Sequence, residues 1–272
     1  MLMVVCGIDM GARTAKAVLL ADGEIAAHSI LRTGPDSAAV AVAVLDRALE
    51  TTAIRREDIE LTVATGYGRV VVPFAERNVT EIACHARGNH YLFPSVRTIL
   101  DMGGQDCKAI RCDDTGKVTT FLMNDKCAAG TGRSMEVMAA LLQVPLEDVG
   151  RLSLEANGQP AKISSTCVVF AKSEVLALAR QGVPTTEILA GLCDGVAERV
   201  KGLLRTVGVV EDFVISGGIS KNIGVVRRIE EKLGVTSHIG FEPQIVGALG
   251  AALFARDFLE RGRQPGRGRG GG

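Results

Sequence analysis

Apolar positions in the first third of the chain come in short blocks cut by turn residues. Val4 to Asp9, Ala15 to Ala21, Glu24 to Leu31 and Leu61 to Thr65 each read as strands, because brief runs of β-branched and apolar residues bounded by glycine and aspartate favour extended backbone. Between the third and fourth blocks, Ser37 to Thr52 sets Ala and Val at helical spacing and predicts a helix. The order then starts again, with strands expected at Thr98 to Asp101, Lys108 to Cys112 and Val118 to Asn124, and helices at Arg133 to Leu142 and Val168 to Arg180. Late in the chain, Phe213-Val214-Ile215-Ser216-Gly217-Gly218 reads as a strand entering a glycine turn, and a helix resumes from Asn222. A last helix, from about Val246 to Arg261, carries Ala248, Ala251, Ala252 and Ala255 on one face, which permits close packing.

The restart is literal. Asp9-Met10-Gly11 followed by Lys16 returns as Asp101-Met102-Gly103 followed by Lys108, and each copy precedes a second turn, at Asp22-Gly23 and at Asp114-Thr115-Gly116. The repeated unit is therefore a strand, a tight turn and a returning strand. Asp-x-Gly can simply make a turn. Two such hairpins can also grip a polyphosphate, since glycine admits backbone N–H groups close to anionic oxygens and a carboxylate can order Mg²⁺. The duplication predicts an α/β protein with domains at 1–95 and 96–245, a hinge near Phe93 to Val96 where Pro94 interrupts a helix, and a helix over 246–261 that joins the first domain.

Charge excludes some functions. With 31 basic and 31 acidic residues the chain is balanced, which argues against a general nucleic-acid binder. The Arg/Gly segment over 262–272 has nothing to bury and is expected to be a disordered tail, either solvated or touching RNA or an acidic partner. No apolar stretch reaches the roughly 18 residues that span a bilayer. Met1-Leu2-Met3-Val4-Val5-Cys6 reads as a first strand without a basic leader, so a cytoplasmic location and unpaired cysteines are expected.

Seven cysteines then need sorting. Cys107 and Cys112 are an odd number of residues apart on one strand and face opposite sides. Cys6 and Cys193 read as buried thiols, and Cys84 beside His85 has no neighbouring ligand pair; Glu81 and His85 are placed to interact across one helical turn. Cys127 opens the small-residue loop Cys127-Ala128-Ala129-Gly130-Thr131-Gly132, and Cys167 ends Ser164-Ser165-Thr166-Cys167; each leads into a predicted helix, whose N-terminus favours a thiolate. They are either structural cysteines or ligands. As ligands, two per chain would make four in a symmetric dimer, the usual complement of a 4Fe-4S cluster.

The duplicated hairpins resemble the sugar kinase, Hsp70 and actin superfamily, in which two ribonuclease-H-like domains close on ATP in an interdomain cleft. Residues 7–16 look like its first phosphate loop, residues 100–108 its second, and Gly217-Gly218-Ile219 its adenosine-side loop. More specifically, Met123-Asn124-Asp125-Lys126-Cys127-Ala128-Ala129-Gly130-Thr131-Gly132-Arg133, with Ser164-Ser165-Thr166-Cys167, Phe170-Ala171-Lys172-Ser173-Glu174, Ala64-Thr65-Gly66-Tyr67-Gly68-Arg69 and Cys84-His85-Ala86, resembles the BadF/BadG/BcrA/BcrD ATPase family.

That resemblance implies an ATP hydrolase that activates a 2-hydroxyacyl-CoA dehydratase by injecting a low-potential electron. The alternatives are an ATPase subunit of a benzoyl-CoA-type reductase, a small-molecule kinase of the same fold, or a non-catalytic regulator that binds nucleotide. It implies a homodimer or paralogous heterodimer bridged by one 4Fe-4S cluster on Cys127 and Cys167. The implied partners are a dehydratase or reductase component with iron-sulfur clusters of its own and a ferredoxin or flavodoxin donor. By the same resemblance Asp9 and Asp101 orient Mg²⁺ or its waters, and Lys16 neutralises phosphate charge. Gly11, Gly103 and Gly104 supply backbone donors, and Thr14, Gly217, Gly218, Ile219 and Asn222 complete the ATP or ADP site. Gln105 either positions the attacking water or bonds its own turn. Relatives usually carry hydroxyl residues after the first loop's glycine; here Ala12 and Arg13 stand there, and Arg13 offers a charge in their place.

Overall fold

The structure, a computed structural model, describes residues 2–125, 130–164 and 167–263. In the first part of the chain the sequence blocks become β1 (Val4–Met10), β2 (Thr14–Ala21), β3 (Glu24–Arg32), α1 (Ser37–Leu49), β4 (Ile59–Thr65) and β5 (Arg77–Asn78), ending in α2 (Glu81–Leu92). The second series is β6 (Thr98–Met102), β7 (Cys107–Cys112), β8 (Val118–Asn124), α3 (Gly132–Leu141), α4 (Val149–Ser153), α5 (Val168–Arg180), α6 (Thr185–Val207), β9 (Phe213–Ser216), α7 (Ile223–Leu233), β10 (Ser237–His238) and α8 (Val246–Arg263). Two units result, one taking the chain up to Cys84 and again from Gly247, the other His85–Val246. The division falls inside α2, upstream of the Pro94 break where the sequence places its hinge.

Both units use one sheet plan. The first sheet runs β3-β2-β1-β4-β5 and the second, read from its opposite end, β8-β7-β6-β9-β10. In each, the first three strands are antiparallel and the last two join in parallel. The hairpin registers coincide as well, with Asp9 opposite Lys16 and Asp101 opposite Lys108. The α/β duplication expected from the repeated phrase is therefore present in the backbone.

Period-two side-chain direction explains why β1 is buried throughout. Cys6, Ile8 and Met10 enter a cluster with Ala41, Val44, Leu45 and Ala48, one stripe of α1; each such Val or Leu stabilises by about 1.5–3 kcal/mol. On β1's other face α8 approaches so closely that a Cβ on Gly7 would lie 2.0 Å from the Ala248 carbonyl oxygen. The small face read from the sequence is what permits this, and Ala248, Ala251, Ala252 and Ala255 are wholly buried. In the second unit Ile188, Leu192, Val196, Val200 and Leu204 of α6 form the corresponding stripe, within a cluster that includes Leu100, Met102, Phe213 and Ile215 from the sheet.

Two helix ends differ from expectation by more than one residue. α1 stops at Leu49 rather than Thr52, because the amides of Thr51 and Thr52 turn back to the carbonyls of Ala48 and Leu49 in a tighter closing turn. α8 takes Gly262 and Arg263 out of the expected tail, and Arg263 pairs with Glu60 of the first unit. The rest of that segment, 264–272, lies outside the described residues.

Candidate functional site

The first unit builds its site at the ends of β1, β2 and β4. Asp9 is buried, and its Oδ2 accepts from Lys16 Nζ at 3.0 Å across the hairpin. The Gly11 amide donates to the Thr14 carbonyl at 3.1 Å and Thr33 Oγ1 donates to the Gly11 carbonyl at 2.8 Å, which closes the turn. Thr65 stands opposite Asp9 on the neighbouring strand and is followed by Gly66, whose φ of +86° favours glycine. A Cβ on Gly66 would lie 2.3 Å from Asp9 Oδ1, so the carboxylate needs that glycine.

The second unit repeats this arrangement and adds to it. Asp101 Oδ2 accepts from Lys108 Nζ at 3.4 Å, and Lys108 also donates to Asp106 Oδ1 at 2.7 Å. The Gly103 amide closes its turn on the Asp106 carbonyl at 2.9 Å. Ser216, opposite Asp101 on β9, donates its hydroxyl to Asp101 Oδ1 at 3.2 Å, and Asn89 Nδ2 donates to Ser216 Oγ at 3.4 Å. His85 Nδ1 lies 3.4 Å from the same Asp101 oxygen. Gly217 then takes φ +84°, and a Cβ there would lie 2.9 Å from Asp101 Oδ1.

Each unit thus holds a buried aspartate between a lysine on the hairpin side and a hydroxyl-glycine pair on the parallel strand. A buried carboxylate with one oxygen neutralised suits a divalent cation or its waters. The donor roles expected of two glycines are corrected: the Gly11 and Gly103 N–H groups are already used inside their turns. Gly104 is also more than a loop glycine. Gly132 N donates to the Gly103 carbonyl at 3.0 Å and Arg133 N to the Gly104 carbonyl at 2.8 Å, so the first amides of α3 are tied to the second phosphate-type loop. Cys107 Sγ adds a bond to the Gly130 carbonyl at 3.1 Å.

Arg13 and Thr14 lie at the first turn, with the Arg13 carbonyl accepting from Thr33 N at 3.0 Å. Gln105 is exposed at the β6–β7 turn. Gly218 follows Gly217 beside Gln244. The Ile219 side chain belongs to the apolar cluster, which leaves only its backbone for a ligand. Asn222 is the N-cap of α7, and its side-chain oxygen accepts from Val225 N at 3.1 Å.

Cys127 lies outside the described residues; the helix its loop leads into is α3, which begins at Gly132 with Thr131 as its cap. Cys167 does cap α5; it is exposed and makes no capping bond. Glu174, further along α5, accepts from Ser164 N and from Ser164 Oγ, both at 2.8 Å, and so holds Ser164. Cys6, Cys84, Cys107, Cys112 and Cys193 are all buried, and burial pushes their thiols up, to about 12 for Cys84 and Cys107. Cys167 is the one exposed thiol among the described residues. Beside it on α5, Val169 and Phe170 are about two-thirds exposed, at 68% and 66%.

Thr65, Ser216, Asn89 and the α3 tether are absent from the sequence reading as site groups. The signal available was the pattern of apolar run, hydroxyl, glycine, which occurs at Thr65-Gly66 and at Ser216-Gly217.

Residues 6–255 match the model of the BadF/BadG/BcrA/BcrD ATPase family. The chain is 45% identical over 260 residues to an activator of lactoyl-CoA dehydratase from Anaerotignum propionicum, covering 95% of this chain and 100% of that protein. It is 30% identical over 262 residues to one of the subunits of benzoyl-CoA reductase from Thauera aromatica, covering 92% of each. Among solved structures, the activator of 2-hydroxyisocaproyl-CoA dehydratase from Clostridium difficile with bound ADPNP superposes with a TM-score of 0.91 at 38% identity, covering 99% of this chain and all of that one.

Proposed function

The chain belongs to the BadF/BadG/BcrA/BcrD ATPase family, and from that premise we propose that it is the ATP-hydrolysing activator of a 2-hydroxyacyl-CoA dehydratase. The observation that carries this reading is the duplicated aspartate-lysine hairpin, present in both units at the same register. The greater identity to a dehydratase activator than to the benzoyl-CoA reductase component favours the dehydratase reading.

In this reading Lys16 and Lys108 offset charge on Asp9 and Asp101, leaving each carboxylate an oxygen for Mg²⁺ or its waters. Arg13, Thr14, Gly104, Gly217 and Gly218 serve the nucleotide, and Gln105 orients the attacking water. The two α3 amides bound to Gly103 and Gly104 carry a shift of the second loop to α3.

A 4Fe-4S cluster would be held by Cys127 and Cys167 with the same two residues of a second copy. What supports the donor set is that Cys167 is exposed, whereas the five other described thiols are buried with their ionisation opposed. When bound, the cluster supplies one electron at low potential, received from a ferredoxin or flavodoxin. The exposed Val169 and Phe170 beside Cys167 suit coverage by the second copy. No described helix is long and apolar enough to cross a membrane.

The test is activation. Anaerobically purified protein, ATP, a low-potential reductant and a dehydratase component should yield dehydration of a 2-hydroxyacyl-CoA, with none when ADPNP replaces ATP. ATP hydrolysis without any activation of dehydratase components would refute the proposal.

A further inference from the structure

We propose that Thr65 and Ser216 are equivalent positioning residues, one per unit, whose hydroxyls fix the orientation of Asp9 and Asp101. The inference rests on the reading of those aspartates as the groups that face the metal. It concerns residues that the phosphate-loop motifs do not include.

Register is the first support. Thr65 is the cross-strand partner of Asp9 in the parallel β1–β4 pair, and Ser216 is the partner of Asp101 in the parallel β6–β9 pair. Partners in a parallel pair project to the same face, so each hydroxyl stands beside its carboxylate. Division of labour between the carboxylate oxygens is the second. In both units Oδ2 meets the lysine, while Oδ1 is turned toward the hydroxyl-glycine strand, close enough that a Cβ on Gly66 or Gly217 would collide with it.

Burial is the third. Ser216 is 1% exposed and its hydroxyl donates to Asp101 Oδ1 at 3.2 Å, while accepting from Asn89 Nδ2. The Asn89 amide is held in turn by the His85 carbonyl at 2.9 Å. The chain of donors therefore points one way, from Asn89 to Ser216 to the carboxylate. Thr65 is 0% exposed, and the one group that answers its hydroxyl is the Cys84 thiol. A thiol is a weak partner for a buried hydroxyl, so a stronger acceptor nearby is favoured. By the geometry of the other unit, that acceptor is Asp9 Oδ1, to which the Thr65 hydroxyl would turn. A donor on Oδ1 removes rotation about the aspartate side chain and leaves one lone-pair direction presented to the cation or its waters.

The experiment uses the full chain and four substitutions. Ser216→Ala and Thr65→Val remove a hydroxyl without adding bulk; Ser216→Thr and Thr65→Ser keep it, and each is the residue found in the other unit. ATP hydrolysis is measured through a Mg²⁺ titration, and Mn²⁺ binding in the presence of ADP is followed by the electron paramagnetic resonance signal of free Mn²⁺. Ser216→Ala and Thr65→Val should each lower kcat about tenfold and weaken Mn²⁺ binding by a similar factor, with KM for ATP within about twofold of the parent. The hydroxyl-keeping variants should stay within about threefold on both readouts. Unchanged kcat and Mn²⁺ affinity in Ser216→Ala, alongside an Asp101→Asn that loses both, would overturn the inference and leave the metal reading standing. An Asp101→Asn that loses neither would overturn the metal reading, and the inference with it.

Discussion

Replacing Lys108 with Met probes the second site at its most exposed electrostatic point. The Lys108 and Asp101 side chains are each only 4% accessible, whereas Asp106 is 26% accessible and can relax into water once its partner is gone. The burden therefore falls on Asp101, which keeps the Ser216 hydroxyl but loses its neutralising cation. Removing one member of a buried ion pair destabilises by about 3–5 kcal/mol, since the other charge stays desolvated. In a unit of about 160 residues each kcal/mol lowers the melting temperature by about 2–4 °C, so Lys108→Met should melt about 6–20 °C lower by scanning calorimetry. Asp101→Asn combined with Lys108→Met removes both charges, and should recover much of that loss instead of adding to it. A single variant that melts within about 2 °C of the parent, or a double variant as unstable as the two singles summed, would refute the buried-pair reasoning.

Three further outcomes follow from the same geometry, and a fourth from the cysteine assignment. Arg13→Ala should weaken ATP binding about tenfold by calorimetric titration, as expected for loss of one charged phosphate contact; unchanged affinity would remove Arg13 from the site. Alkylation of iron-free protein at neutral pH, read by mass spectrometry, should modify Cys167 well before Cys6, Cys84, Cys107, Cys112 and Cys193, and equal rates would contradict their burial. Because Cys84 and Cys107 hold their protons to about 12 when folded while an unfolded thiol ionises near ~8.5, the unfolded chain binds fewer protons between those limits. Stability should then be flat below about pH 8 and fall as pH rises through that window, by up to about 1.4 kcal/mol per pH unit for each thiol, measured as urea midpoints. Anaerobic iron analysis should give about four irons per two chains, lost in Cys127→Ala and in Cys167→Ala, and iron retained in both would refute the shared site.

Much of the fold was legible because it follows from local pattern. The β8 and α5 ranges are the ones the sequence predicts, Val118 to Asn124 and Val168 to Arg180, and the repeated Asp-Met-Gly phrase located both hairpins. Groups that reach a site across the sheet were not legible. Ser216 meets Asp101 from 115 positions away, and only the parallel register brings Thr65 beside Asp9. A strand pattern shows which face a residue takes and not which strand lies next to it. The Gly11 and Gly103 amides show the opposite error, since glycine beside an aspartate suggests an open donor, yet the turn itself consumes the N–H.

The central claim is that ATP hydrolysis by this chain drives an electron out to a dehydratase. Its most direct test is to reduce the anaerobic protein, mix it with the dehydratase component in a stopped-flow cell, and follow the visible iron-sulfur absorbance. Reoxidation that occurs with ATP and is absent with ADPNP is the predicted result. Reoxidation at the same rate without ATP, or none with it, would contradict the claim.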